Sequence, residues 1–410
     1  MVYPLRSFLL DNRGSPKRRT KAQKNMPLPV PNPDAQLFSA ALKQRIADEI
    51  VAAGGWIDFA HFMTLALYAP GMGYYSGGAH KFGPAGDFVT APELSPLFSY
   101  TLAAQVAQIL ALSAPQIIEV GAGSGRLAAD LLAELEQRGT LPERYAILEL
   151  SGELRARQQQ MLTQRVPHLL PRISWLDRLP EHFDGLILGN ELLDALPTHR
   201  VCWEATNILE EGVAWQNGEF VWAARPASGR VREAAQVLAD ELILPTAYTS
   251  EINLAARDWI ASMADLLGQG ALLLIDYGFP RSEFYHPQRS SGSLMCHYRH
   301  HAHDDPFFWP GLQDITAHVD FTALTEAACQ AGLTLLGYTT QAEFLLNCGL
   351  LDVLSRTPAE ESLRYLPQAQ AVQTLISPAE MGDLFKVIAF GRGIDETLIG
   401  FAQHDRSERL

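Results

Sequence analysis

Three observations predict an α/β fold built on an open, mostly parallel sheet with helices on both faces. Short apolar runs alternate with amphipathic stretches of helical length from residue 113 onward. One run, Gln116 to Val120, passes through Gly121-Ala122-Gly123-Ser124-Gly125 directly into the helical pattern Arg126 to Arg138. Later runs end in polar residues at Glu149, at Asn190-Glu191 and at Asp276. Ligands of open parallel sheets bind at those carboxyl ends.

The elements follow in order. Residues 1–34 are Pro-rich and basic, with little to bury, and are expected to form a disordered extension. Between Ala35 and Ala53, Leu37, Ala41, Ile46 and Ile50 recur near helical spacing and open an N-terminal helical cap and lid loop over 35–112. A second long helix is expected from Pro96 to Leu112. The first half of the core spans 113–197, with strands at Gln116–Val120, Tyr145–Leu150, Ile173–Leu176 and Phe183–Leu188. Helices at Arg126–Arg138 and Gly152–Gln164 separate them. Residues 198–250 break the rhythm. Gly212–Trp215 and Glu219–Trp222, joined by Gln216-Asn217-Gly218, read as a hairpin in a β-rich insertion on the substrate side. The second half, 251–395, holds a strand at Ala271–Ile275 and a helical insertion at Gln341–Ala379. Two late strands, Leu333–Tyr338 and Phe385–Phe390, form an antiparallel pair, and 396–410 read as a tail.

Composition narrows the function. The formal charge is -14, yet the first 24 residues carry seven Lys or Arg against Asp11, leaving -20 on the remainder. A body that acidic repels phosphate backbones and excludes nucleic acid as a partner. It favours a basic peptide segment or another cation. Cys202, Cys296, Cys329 and Cys348 are too scattered for a disulfide framework or a zinc knuckle, which fits a reducing compartment. No apolar run reaches spanning length, so no membrane insertion is expected. The basic start reads as a solvated tail, with an Arg-rich organellar presequence as the alternative.

The spacing Gly121-x-Gly123-x-Gly125 is not the dinucleotide pattern, which places two residues between its second and third glycines. Such a loop can instead approach a nucleoside with an amino-acid tail. Glu119, just before it, can meet a ligand ammonium. Glu149, at the end of the second strand, can accept hydrogen bonds from both ribose hydroxyls. Asp177, after the third strand, could reach the adenine amino group. An acid, a glycine loop of this spacing and an acid at the second strand form the pattern of class I S-adenosylmethionine methyltransferases.

Asn190, Glu191 and Asp194 fall where the methyl acceptor should sit. Glu191 and Asp194 are three apart, and on a turn of helix they would share a side. Two carboxylates and an amide suit a planar cation such as a guanidinium, which stays protonated at ordinary pH. The plainer reading is that Glu191 pairs locally and Asp194 closes the turn before Pro197.

With these residues placed, the sequence resembles the MidA family of methyltransferases over residues 36–390. The motifs that carry the resemblance are Ala69 to Tyr75, Gly86 to Glu93, Glu119 to Gly125, Gly189 to Pro197, Asp276-Tyr277-Gly278 and Asp314 to Phe321. Mitochondrial members of that family are respiratory complex I assembly factors with protein-arginine methyltransferase activity. The resemblance implies S-adenosyl-L-methionine as donor and a protein substrate with an accessible arginine. It also implies a lid over the cofactor that brings Asp87, Thr90 and Glu93 to it. It places a bacterial member in the cytoplasm and a eukaryotic one in the mitochondrial matrix. Two other functions stay open at this point: a client-binding assembly factor that retains the cofactor fold, and a small-molecule methyltransferase with a closed pocket.

Other features tempt less. Cys296 to Asp305 packs a thiol, four histidines and two acids together, but no distant partner pair has the right spacing and no metal is expected. His318 reads as a buried core histidine before a substrate-orienting one. Phe59, Phe62, Tyr68, Tyr74 and Tyr75 could wall an arginine channel or simply pack the cap.

Overall fold

The computed structural model describes residues 28–77 and 90–410. Helix α1 (Pro33–Ala52) starts on Asn32, whose side chain accepts from the Ala35 N–H at 2.8 Å, with Pro33 in the first turn. The two-residue strand β1 (Ile57–Asp58) runs into α2 (Phe59–Tyr68), capped by Asp58 through the His61 N–H at 2.8 Å. Helix α3 (Ala91–Leu94) and helix α4 (Pro96–Leu112), the latter with the expected bounds, complete the cap.

Strand and helix then alternate as the periodicity predicts: β2 (Gln116–Val120), α5 (Arg126–Gln137), β3 (Arg144–Leu148), α6 (Gly152–Arg165), β4 (Ile173–Leu176) and β5 (Phe183–Asn190). The insertion holds β6 (His199–Trp203), β7 (Ile208–Gln216), β8 (Glu219–Pro226) and β9 (Tyr248–Ile252). These and β1 form an antiparallel sheet, with α7 (Gly229–Glu241) packed between β8 and β9 in sequence. That helix was missed by the strand reading; its buried Val231, Ala235 and Leu238 lie at helical spacing. Next come α8 (Leu254–Leu266), β10 (Leu267–Phe279) and α9 (Arg281–Phe284). The strands β11 (Met295–Tyr298), β12 (His301–His303) and β13 (Asp314–Thr316) make a small third sheet. The chain closes with β14 (Val319–Asp320), α10 (Phe321–Gln330), β15 (Thr334–Thr340), α11 (Gln341–Asn347), α12 (Leu350–Ser355), α13 (Ser362–Ile376) and β16 (Phe385–Arg392).

The central sheet has the order β15-β16-β10-β5-β2-β3-β4. From β10 to β4 every pair is parallel, while β16 runs antiparallel to both β10 and β15. Alternate residues feed two cores. Ile117, Ile147, Leu186 and Leu273 pack with α4 and α5, and Ile118, Ala146, Ile187 and Leu272 with α8 and α10. Residues 177–182 join β4 to β5 without a helix. They leave a cavity of about 240 Å³ on the sheet face, lined in part by Ile118, Ala146, Leu176, Leu179 and Phe183. The expected tail is packed: Leu398 and Phe401 are buried, and the Phe401 ring meets Phe344 edge-on at 5.4 Å. No described helix is long and apolar enough to cross a membrane. The basic segment 1–27 lies outside the described residues.

Candidate active site

The loop after β2 is shaped by glycine where glycine is required. Gly121, Gly123 and Gly125 have φ of 71°, 53° and 82°, in the left-handed region that L-residues avoid. A Cβ on Gly121 would stand 3.3 Å from Leu192, and one on Gly125 only 3.1 Å from the Gln158 backbone. The turn is therefore tight and bare, and it delivers the N-terminus of α5 with its partial positive charge. Beneath it, Glu119 is 2% exposed and accepts a hydrogen bond from the Tyr145 hydroxyl at 2.7 Å. Burial pushes its carboxyl up to about 7, the Tyr145 bond opposes this, and the Glu149 carboxylate adds to it.

Glu149 lies just past the end of β3, buried, one oxygen taking the Ser151 N–H at 2.9 Å and the other the Gln158 amide at 3.0 Å. Burial raises its pKa against those bonds. Gln158 was not anticipated. Fully buried on α6, it also donates to the Gly123 carbonyl at 3.0 Å, and its oxygen accepts from the Trp175 indole at 2.9 Å. One amide thus joins the glycine loop, the acid of the second strand and β4. Only its place near helical spacing after Leu154 could have marked it as inward-facing.

The acceptor side is assembled from four stretches. Asn190 ends β5 and Glu191 follows with φ of 52°, its N–H bonded to the Ile275 carbonyl at 2.8 Å. The expected turn of helix from Glu191 to Asp194 is absent; the segment is irregular. Asp276 organises it instead. One Asp276 oxygen accepts the Leu193 N–H at 2.7 Å and the Asp194 N–H at 3.3 Å, and the other accepts the Tyr277 N–H at 2.8 Å. Burial first, then the nearby Asp194 and Glu191 carboxylates, hold Asp276 well above the usual carboxylate range. The Tyr277 hydroxyl bonds to the side chains of Asp194 and Thr316. From β13, Asp314 accepts from the Tyr75 hydroxyl at 2.9 Å, and the Tyr68 ring stacks on Tyr75 at 5.5 Å with its hydroxyl on the Ala195 carbonyl at 2.8 Å. Tyr68 is 38% exposed as a whole, yet enclosure of its phenol end, then the carboxylates of Asp314, Asp194 and Glu149, raises that phenol. The buried Oδ1 of Asn190 has no hydrogen-bond partner among the described residues.

The aromatic set therefore divides. Phe59 and Phe62 are core, packed with Trp222, Phe220 and Phe307, while Tyr68 and Tyr75 face the acids. Glu93 on α3 bonds the Ser124 hydroxyl of the glycine loop, and Thr90 occupies the α3 cap position without a capping side-chain bond. Asp87 lies outside the described residues. Asp177 is 87% exposed and paired with Arg155 at 2.8 Å. His318 is half-buried, stacked on Phe279 at 5.3 Å. Desolvation, then Arg289, lowers its pKa to about 3 and keeps it neutral. His297 and His303 lie on the hairpin of β11 and β12.

A parallel sheet whose reversed strand β16 is inserted between β10 and β15, with a glycine turn after the central strand β2, is the class I methyltransferase architecture. The chain belongs to the S-adenosyl-L-methionine-dependent methyltransferase family Methyltransf_28, which it matches over residues 101–339. It is similar to a crystal structure from Burkholderia thailandensis bound to S-adenosyl-homocysteine, with 53% identity, a TM-score of 0.91, and coverage of 94% of this chain and 100% of that one. It is also similar to the mitochondrial protein arginine methyltransferase NDUFAF7 of Mus musculus, 30% identical over 83% of this chain and 82% of that one. The Danio rerio protein of the same name is 28% identical over 85% and 86%. S-adenosylmethionine is accordingly the cofactor, and the residues present fit it. The loop is bare of side chains at Gly121, Gly123 and Gly125, and a carboxylate stands just past the end of the neighbouring strand.

Proposed function

We propose that this methyltransferase modifies an arginine side chain of a protein partner. The observation that most supports this is the gathering of Glu191, Asp194, Asp276 and Asp314, with three tyrosines, at the carboxyl end of the sheet beside the glycine loop. Acidic side chains gathered in such number favour a cation, and a guanidinium remains charged while offering planar, paired donors. The NDUFAF7 relatives are named as protein arginine methyltransferases.

In this reading the loop glycines Gly121, Gly123 and Gly125 admit the cofactor, Glu119 meets its ammonium and Glu149 its ribose. The family resemblance adds Asp87, Thr90 and Glu93 to the residues that contact it. When bound, S-adenosylmethionine supplies a methyl group on a sulfonium for in-line displacement. Glu191 and Asp194 grip the guanidinium and turn one nitrogen toward that methyl, with Asn190 lending its unpaired oxygen. Glu191 takes the proton shed as that nitrogen is methylated. Asp276 is a positioning residue, holding the 191–194 segment through backbone N–H groups.

The family resemblance makes a respiratory complex I subunit the first substrate to test. Purified protein with labelled donor should mark arginine in it, mapped by mass spectrometry, and Glu191→Gln should abolish the label while keeping S-adenosylhomocysteine affinity. Label confined to small molecules would refute the proposal. Absence of label with intact cofactor binding would favour a client-binding assembly factor.

A further inference from the structure

A second cluster of ligand-type side chains lies behind the acceptor segment, where the cap meets the insertion. Strand β7 shares one edge between two partners: residues 208–211 pair with β6, and residues 212–213 pair with β1. At the seam β1 ends in Asp58 and β6 begins with His199. Asp58 pairs with Gly212, and Glu210 lies two residues along the same strand, so period-two alternation turns Glu210 to the same face. The seam is tight. A Cβ on Gly212 would meet the Ile57 carbonyl oxygen at 2.2 Å and the Trp56 ring at 2.5 Å.

There His199 Nδ1 stands 2.7 Å from a Glu210 oxygen and 3.9 Å from Asp58 Oδ1, with all three ligand atoms within 4.8 Å of one another. Ligands about 2.0–2.2 Å from a tetrahedral ion lie roughly 3.3 Å apart, inside that range. The side chains are 33%, 19% and 10% exposed for Asp58, His199 and Glu210, leaving a solvent-facing side for water ligands. Arg225, on the β8 side of Glu210, lies over the Trp56 ring at 4.6 Å. We propose that Asp58, His199 and Glu210 bind a divalent transition-metal ion of the zinc or manganese class, which staples the cap to the insertion. One imidazole with two carboxylates suits those ions and balances their charge, whereas magnesium and calcium prefer oxygen alone.

The staple has a mechanical consequence. Asp58 caps α2, and Tyr68, the last residue of that helix, donates to Ala195 in the acceptor segment. An ion at one end of α2 would fix the helix that braces the active site at the other.

The test is calorimetric titration of chelator-treated, desalted full-length protein with Zn²⁺ and with Mn²⁺, alongside His199→Ala, Glu210→Gln and Asp58→Asn. Asparagine is as good a helix cap as aspartate, so Asp58→Asn keeps α2 while removing the charged ligand. One equivalent should bind the parent protein and raise its melting temperature. Each variant should bind more than about tenfold more weakly. S-adenosylhomocysteine affinity, measured on the same samples, reports that each variant is folded. No binding of either ion to the parent protein would overturn the proposal. Binding unchanged in all three variants would also overturn it, by assigning the ion to another cluster such as the histidines of β11 and β12.

Discussion

Glu119 gives the most quantitative forecast. Its carboxyl is pushed from an ordinary 4.5 up to about 7 by burial, so the folded state holds its proton more tightly than the unfolded chain does. Stability contributed by this group is fully present below 4.5, falls as pH rises, and levels off above about 7. Between pH 5 and pH 8 the loss is about 2.5 kcal/mol, from 1.36 kcal/mol for each tenfold change in proton affinity. Glu119→Gln removes the titration and keeps an oxygen for the Tyr145 hydroxyl. Urea unfolding of both cofactor-free proteins across that range should show the variant gaining about 2.5 kcal/mol on the parent as pH rises. A difference constant within about 0.5 kcal/mol would refute the desolvation argument. The same group tests the proposed ammonium contact. S-adenosylhomocysteine should bind the parent more tightly as pH climbs from 5.5 to 7.5, because binding favours the charged carboxylate. The Gln variant should show no such trend.

Three further outcomes follow from the geometry. Gln158→Leu strands the Gly123 carbonyl, the Trp175 indole and one Glu149 oxygen, and should lower stability by about 2–4 kcal/mol in urea unfolding. It should also weaken S-adenosylhomocysteine by about tenfold in calorimetry, since each such bond is worth about 1 kcal/mol or more. Gly125→Ala places a Cβ 3.1 Å from the Gln158 backbone at a φ of 82°. It should cost about 1–3 kcal/mol of stability in urea unfolding, with cofactor affinity falling in step. Asp314→Asn should cut arginine-methylation kcat/KM by about tenfold or more while leaving S-adenosylhomocysteine affinity unchanged, because this carboxylate belongs to the acceptor side.

The sheet was legible because its signals are local. A glycine turn between an apolar run and an amphipathic one needs five residues to be read, and the α4 boundaries follow from Ser95, Pro96 and the loss of periodicity after Leu112. The carboxyl ends of β5 and β10 were read short for an equally local reason, while β3, expected to reach Leu150, stops at Leu148. Gly189 and Asn190 look like loop residues, yet they stay paired with Leu274 and Ile275, and β10 runs on through Asp276 to Phe279. Polar side chains at the carboxyl ends of buried strands keep their ladder bonds, and sequence hydropathy cannot register backbone pairing. The helix α7 escaped because the hairpin signal at Asn217-Gly218 spoke for the whole insertion.

The acceptor site was harder, since its geometry is made by contacts that no spacing encodes. Glu191 and Asp194 were reachable from the sequence, but the helical turn that was to align them does not exist, and it is Asp276, 82 residues beyond Asp194, that bonds the backbone between them. Asp314 joins through Tyr75, 239 residues away, and so depends on the cap folding back over the sheet. This places a physical demand on the molecule. Carboxylates crowded beside one another repel, and desolvation adds to the strain, so holding Glu191, Asp194, Asp276 and Asp314 together must be offset by the tyrosine hydroxyls and backbone N–H groups that surround them. The cap supplies one of those hydroxyls, from Tyr75 to Asp314, and braces the acceptor segment through Tyr68, whose hydroxyl donates to the Ala195 carbonyl. Loosening α2 should therefore weaken the acceptor site before it disturbs the glycine loop, which is braced separately by Gln158 and by Glu93 of α3.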